Sequence, residues 1–299
     1  MANSIDLVTK FLPLIDEVYK KEAKSAVLEA PSELVQQTQD ANTVKIAKLA
    51  MVGLGNYDKE DGYPDGDVTL TWETHTFSND RGRRFSVDRM DDIESFGVTA
   101  GRMVGTYLRD YVIPEIDAYR FAKIATKATQ SAEAILTGET AKAAIDTGIV
   151  TLQENEVDDS RMVIFATPTV AQSLSDNIIR TTINGDANVN NIVETYNGIQ
   201  IVRVPQSRFY TQVTLDAGAT SSAGGYSKTA STGADINFIV MDKNASFNIT
   251  KLYASKLFSP DVNQNKDAWQ FDFRAYHDSF VFENKVKGIY LHKKAKAKA

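Results

Sequence analysis

Three histidines, His75, His277 and His292, are the side chains of this sequence best suited to moving a proton near neutral pH. They lie far apart, and none belongs to HExxH or to any two-histidine spacing that would hold zinc. His277 stands in Arg274-Ala275-Tyr276-His277-Asp278, where Asp278 could orient it as a general base. No nucleophile motif accompanies the pair, so it reads as a partnered structural histidine; GxSxG and the P-loop are both absent. The run Asp88-Arg89-Met90-Asp91-Asp92-Ile93-Glu94 gathers carboxylates that could hold a hard cation. It lacks the glycine and spacing of a calcium loop and reads as the solvated start of a helix, whose dipole favours acids. Arg81, Arg83 and Arg84 could bind phosphate or pair with carboxylates of a neighbouring subunit. The acidic balance of the chain favours the second reading. Gly53-Leu54-Gly55 lacks the third glycine of a dinucleotide site. No catalytic residue, cofactor or metal site is expected.

The 299 residues carry a net charge of −6, which argues against a broad grip on nucleic acid. The exception is the stretch His292-Lys293-Lys294-Ala295-Lys296-Ala297-Lys298-Ala299, read as a frayed, solvated end. There is no cysteine, hence no disulfide, thiolate nucleophile or sulfur-ligated metal. No apolar run approaches the ~18 residues of a membrane helix. The first residues are interrupted by Asp6, Lys10 and Asp16, so no secretory pattern is seen and folding in a cytoplasm is expected.

The elements that position these groups begin with a helix from Asn3 to Leu28, kinked at Pro13 and ended by Pro31. A Gln-rich linker or arm follows, from Ser32 to Asn42, then a strand from Val44 to Val52. Asn56 to Gly66 has loop chemistry. Val68, Leu70, Trp72, Thr74 and Thr76 alternate with Thr69, Thr71, Glu73, His75 and Phe77, the period of a strand. Asn79-Asp80-Arg81-Gly82 offers a turn, and Arg84 to Asp88 a returning strand. A lone two-stranded hairpin is marginal in water. One bearing Trp72, Phe77 and Phe85 needs another body to lie on. Apolar periodicity then predicts a long helix from Ile93 to Ala128, ~54 Å at 1.5 Å per residue, kinked or divided at Pro114. Gly97, Gly101 and Gly105 share one of its faces. Further on come a helix with polar connectors (Thr137 to Asp159), a buried strand (Arg161 to Ala166), and a helix from Pro168 to Ile179 capped by Thr167. Strands are expected at Ile199 to Val204, Ile236 to Met241, Phe271 to Tyr276, Phe280 to Phe282 and Gly288 to His292. Between them, Asp216 to Asp235 reads as a surface loop.

The order and spacing of several short runs resemble one known family. Gly53-Leu54-Gly55-Asn56-Tyr57-Asp58, Gly62-Tyr63, Gly66, Trp72-Glu73-Thr74, Asp80-Arg81-Gly82, Phe85-Ser86-Val87-Asp88 and Asp91-Asp92 are similar to the extended loop of tailed-phage major capsid proteins. Val112 to Arg120 resembles their spine helix, and Tyr276 to Tyr290 their closing strands. The resemblance runs from about Val44 to His292. It implies an α+β chain of the HK97-type capsid fold. Residues 1–43 would be the N-terminal arm and 44–90 a strand with the extended β-hairpin loop. Residues 91–145 with 263–299 would be the peripheral domain with its spine helix, and 146–262 the axial domain.

The resemblance also implies hexamers and pentamers of an icosahedral shell around double-stranded DNA, bound without sequence specificity, in a virion built in the host cytoplasm. A separate scaffolding protein and a portal would be partners, and no membrane. Trp72, Phe77, Arg81, Arg83, Arg84 and Phe85 would be intersubunit contacts. Some relatives crosslink a loop lysine to an asparagine; Lys59 and Asn284 are candidates here, but noncovalent contacts are expected. The alternatives are an encapsulin-type compartment shell and a phage tail-tube protein.

Overall fold

The computed structural model describes residues 23–28, 36–37, 42–60, 62–94, 104–176, 195–218 and 223–295. Its strands are β1 (Gln36–Gln37), β2 (Thr43–Met51), β3 (Val68–Thr76), β4 (Asn79–Asp88), β5 (Gln130–Ala134), β6 (Met162–Ala166), β7 (Thr195–Tyr196), β8 (Ile199–Arg203), β9 (Val213–Asp216), β10 (Gly225–Lys228), β11 (Ile236–Asp242), β12 (Ser246–Phe258), β13 (Ala268–Val281) and β14 (Ile289–Lys294). The α-helices are α1 (Arg89–Glu94), α2 (Ile113–Lys127), α3 (Gly138–Glu154) and α4 (Pro168–Asp176).

Six strands form a mixed sheet in the order β5-β14-β11-β6-β8-β7. The runs MVIFA of β6 and INFIVM of β11 are buried throughout, because both faces of the sheet are covered. Met162, Ile164, Phe238, Val240 and Tyr290 face α3 and α4. Val163, Phe165, Ile239, Met241 and Leu291 face the other way, onto Phe121, Ile124 and Ala125 of α2. This alternation divides one continuous apolar run between two cores.

The second large sheet is β12-β13-β4, antiparallel throughout. Phe271, Phe273 and Ala275 pack on Leu108, Val112, Ile113 and Ile116. The helix of residues 104–127 therefore joins the two sheets, with its first half on β13 and its second half on the six-stranded sheet. Its turn Leu108–Val112 is π-helical, with the Ile113 N–H bonded to the Leu108 carbonyl. Pro114 follows at once and cannot donate a backbone bond, so the ladder is re-spaced there and the helix continues.

Several expectations are corrected. The strand after Phe77 does not return along β3. β3 pairs with β2 over nine residues, from Thr43↔Thr76 to Met51↔Val68. β4 pairs instead with β13, from Asn79↔His277 to Ala268↔Asp88. Asn79 to Gly82 is strand, not turn, and Phe77-Ser78 carries the chain from one sheet to the other. Phe271 to Phe282 is not two strands but mostly one, β13, and its long partner β12 was not foreseen. The stretch 216–235 holds a strand, β10, which pairs with β9 just before it. His292, Lys293 and Lys294 are not frayed; they lie in β14, parallel to β5.

Of the helix expected from Asn3, the described part is a short 3-10 helix, Lys24–Leu28. Pro13, Gly97, Gly101, Ile179 and residues 296–299 lie outside the described residues. The expected domain boundary at 145 falls inside α3. β14, placed with the peripheral residues, lies inside the six-stranded sheet, while β12, placed with the axial ones, pairs with β13.

Candidate subunit interface

The β2–β3 hairpin is rooted by aromatic packing. Val44, Phe77, Phe247 and Phe280 are buried together where it leaves the body. The His75 ring lies 4.8 Å from Phe280 and 5.8 Å from Phe247. Burial lowers the His75 pKa, and Glu73, 3.0 Å away, opposes that shift only in part.

Beyond the root the hairpin loses its cover. Met51 is 69% exposed, Val68 66%, Leu70 56% and Trp72 49%. The register places Met51 opposite Val68, so these four side chains share one face. The connecting loop adds Leu54, Tyr57 and Tyr63, all exposed. The Tyr57 and Tyr63 rings are 4.9 Å apart, and Asp58 and Gly62 exchange backbone bonds of 3.2 and 2.9 Å.

The other residues expected at an interface have partners within the chain. Phe77 is 6% exposed, in the root cluster. Phe85 packs on Tyr107. Arg81 forms an ion pair with Glu115 at 2.7 Å and donates to the Asp216 carbonyl at 2.7 Å. Arg83 donates to the Gly218 carbonyl at 3.3 Å. Arg84 pairs with Asp272 at 2.8 and 3.0 Å, which holds that carboxyl below its usual range. Asp80 is held low in the same way by Arg274. Arg83 and Arg84 are exposed all the same, and Trp72 is the one of the six that lies on the apolar hairpin face.

Arg81, Arg83 and Phe85 line a groove of about 610 Å³ with Tyr107, Tyr111 and Gly218. Glu115 pairs with Arg81, Asp216 accepts from the Gly218 N–H, and Arg83 donates to the Gly218 carbonyl.

His277 and Asp278 are not a catalytic pair. They occupy successive positions of β13 and so point to opposite faces. Asp278 accepts from the Ser78 N–H and hydroxyl, the Tyr119 hydroxyl and the Ser279 N–H, at 2.8 to 3.1 Å. His277 Nε2 meets the Asn79 amide at 3.0 Å. Its burial, with the nearby Arg120 guanidinium, lowers its pKa to about 3, so the ring is neutral at pH 7. Among the described residues no group of His, Asp and Glu could hold a metal ion. No helix among them is long and apolar enough to cross a membrane.

Sequence reasoning missed the anchor of the N-terminal segment. Asp117 on α2 is fully buried. It accepts from the Lys24 N–H, the Ser25 N–H, the Ser25 hydroxyl and Arg208 at 2.7 to 3.3 Å. The buried Arg120, one turn on, donates to the Ser25 and Thr250 hydroxyls, both at 3.1 Å. A carboxylate thus caps the 3-10 helix and ties it to the long helix. The Asp117 and Arg120 spacing in the helix was the one available signal.

No protein-family model and no curated protein matches the chain. Solved structures do. The capsid of the cyanophage P-SCSP1u matches with a TM-score of 0.63 at 13% identity, covering 88% of this chain and 86% of that one. The mature capsid of bacteriophage PhiM1 matches at 0.57 and 14% identity, with 87% and 84% covered. The capsid of a native GTA particle matches at 0.50 and 12%, with 86% of each covered.

This chain has the fold of tailed-phage capsid proteins. The likeness covers 86–88% of the chain in these three structures. Within that fold, the uncovered apolar face of the β2–β3 hairpin is the strongest candidate for contact with another molecule.

Proposed function

We propose that the protein is the structural subunit of an icosahedral bacteriophage capsid, assembling into hexamers and pentamers that enclose double-stranded DNA. The observation that carries this is the hairpin face Met51-Val68-Leu70-Trp72, exposed on a chain with a capsid fold. An apolar ribbon that its own core leaves bare is stabilised by lying on a neighbour. In this reading the extended loop is β2–β3 with its connection, and residues 104–127 are the spine helix. The β12-β13-β4 sheet belongs to the peripheral unit and the six-stranded sheet to the axial unit. The net charge of −6 keeps the subunit from clinging to the DNA it surrounds. A scaffolding protein and a portal complete the proposed assembly, in the cytoplasm of the host. No catalytic role is part of the proposal.

Electron microscopy and sedimentation of the purified protein test this. Shells, tubes or capsomers are expected as concentration rises, and particles from infected cells should protect DNA from nuclease. A protein that stays monomeric under all assembly conditions sinks the proposal. Particles filled with protein cargo instead of DNA would point to a compartment shell.

A further inference from the structure

Among the described residues the β3 strand is the outer edge of its sheet, in the order β1-β2-β3. Which backbone groups it leaves open follows from one bond. The Phe77 N–H donates to the Asn42 carbonyl at 2.9 Å, which makes that opposed pair the hydrogen-bonded kind. Antiparallel pairs alternate in kind, so Thr69, Thr71, Glu73 and His75 spend their N–H and C=O groups on β2. The groups of Val68, Leu70, Trp72, Thr74 and Thr76 point outward. Val68, Leu70 and Trp72 also carry the bare apolar face.

Other long edges of the molecule are blunted. β12 breaks register at Lys251, between Thr250 and Leu252, and the Lys24–Leu28 helix lies against it through Asn248. β4 carries Asp80, Arg81, Arg83, Arg84 and Asp88 in ten residues, with a glycine at 82. Bulges, charges and covering segments are how proteins guard an edge against strand addition. Among the described residues β3 has neither a bulge nor a covering segment in its paired stretch: its register is continuous over nine residues, without proline or glycine, and Glu73 is its single acid.

We propose that the outward edge of β3 is completed by an extended segment of a neighbouring copy of this chain, which adds a strand to the β1-β2-β3 sheet. This rests on the shell reading above. The size of the ribbon selects the occupant. Nine residues of a two-stranded ribbon offer a face of about 30 by 10 Å, on the order of 300 Å². A partner arriving from solution needs roughly 800 Å² on each side. The β3 edge can therefore hold only a segment already kept close by other contacts, which is the position of an adjacent copy in a shell.

Residue-resolved amide exchange, compared between free subunit and assembled particle, reads this directly. Thr71 and Glu73 should be protected in both. Leu70, Trp72 and Thr74 should exchange freely in the subunit and at least tenfold more slowly in the particle. Uniform slowing of odd and even residues, or no change, would overturn the proposal. Leu70→Pro removes an outward N–H and no bond to β2, a placement proline tolerates at an edge. Its unfolding curve should stay close to that of Leu70→Ala while its yield of particles falls at least tenfold below that variant's. Equal yields defeat the strand addition and leave the shell reading standing. If the wild type forms no particles, both fall.

Discussion

Asp117 accepts four donors at zero exposure, and Arg120 beside it is equally buried. Removing one partner from a buried charged network costs about 3–5 kcal/mol, because the groups left behind cannot reach water. Asp117→Asn is expected to lose stability of that order in urea and to make the chain near Ser25 sensitive to protease. An unchanged midpoint would show that the network adds nothing. His277 gives the second residue-level prediction. Its folded pKa of about 3 lies below the unfolded value near 6.5, so acid favours the unfolded chain. The contribution of the neutral ring is whole above pH 6.5 and declines as pH falls toward 3. Between pH 6.5 and 5 that is about 2 kcal/mol. His277→Gln should flatten the pH dependence by this amount, measured by urea unfolding at the two pH values. That His277 is a partnered structural histidine was legible in the sequence, since no nucleophile motif stood near it; that its ring is neutral was not. Asp117 was not. In Ile116-Asp117-Ala118 it looks like any helix-surface acid, and its partner Ser25 is 92 residues away.

At the level of elements, the alternation of β3 and the buried runs of β6 and β11 were plain, because period and composition are local properties. The partner of β4 was not local. Asn79-Asp80-Arg81-Gly82 has the residues of a turn, but each of the four pairs across to β13, nearly two hundred positions on. Gly82 serves that pairing by its size. A Cβ built on it would come within 2.8 Å of the Phe273 carbonyl oxygen. Gly82→Ala should therefore push β4 from β13 and cost about 1–3 kcal/mol. Thermal unfolding checks it, and a variant as stable as wild type would mean the strands shift without cost. β12 escaped notice because its bulge at Lys251 breaks the alternation in Ser246 to Phe258.

For the whole molecule, the expected division of labour between core and surface shifted by one step. Four of the six residues expected to meet a neighbour, Phe77, Phe85, Arg81 and Arg84, have side-chain partners at home. Trp72, at 49% exposure, contributes little to the isolated fold. Trp72→Ala should change the stability of the free subunit by less than about 1 kcal/mol. It should raise the concentration needed for assembly at least tenfold, about 1.4 kcal/mol per contact. Light scattering against concentration, with unfolding of the free subunit alongside, separates the two. Equal losses in both would place Trp72 in the fold rather than in the contact.

The placement of β14 between β5 and β11 has a consequence for timing. During synthesis, residues 130–134 and 236–242 emerge long before residues 289–294, the strand that must lie between them. Until the ribosome reaches that strand, β5 has no partner and one edge of β11 leaves its backbone N–H and C=O groups unpaired. The hairpin, by contrast, has both its strands by residue 76. A nascent chain can thus display its adhesive ribbon well before its body is closed. Chains crowded on one messenger would be at their most vulnerable to premature association in that interval, and a chaperone that shields the unfinished sheet would act there.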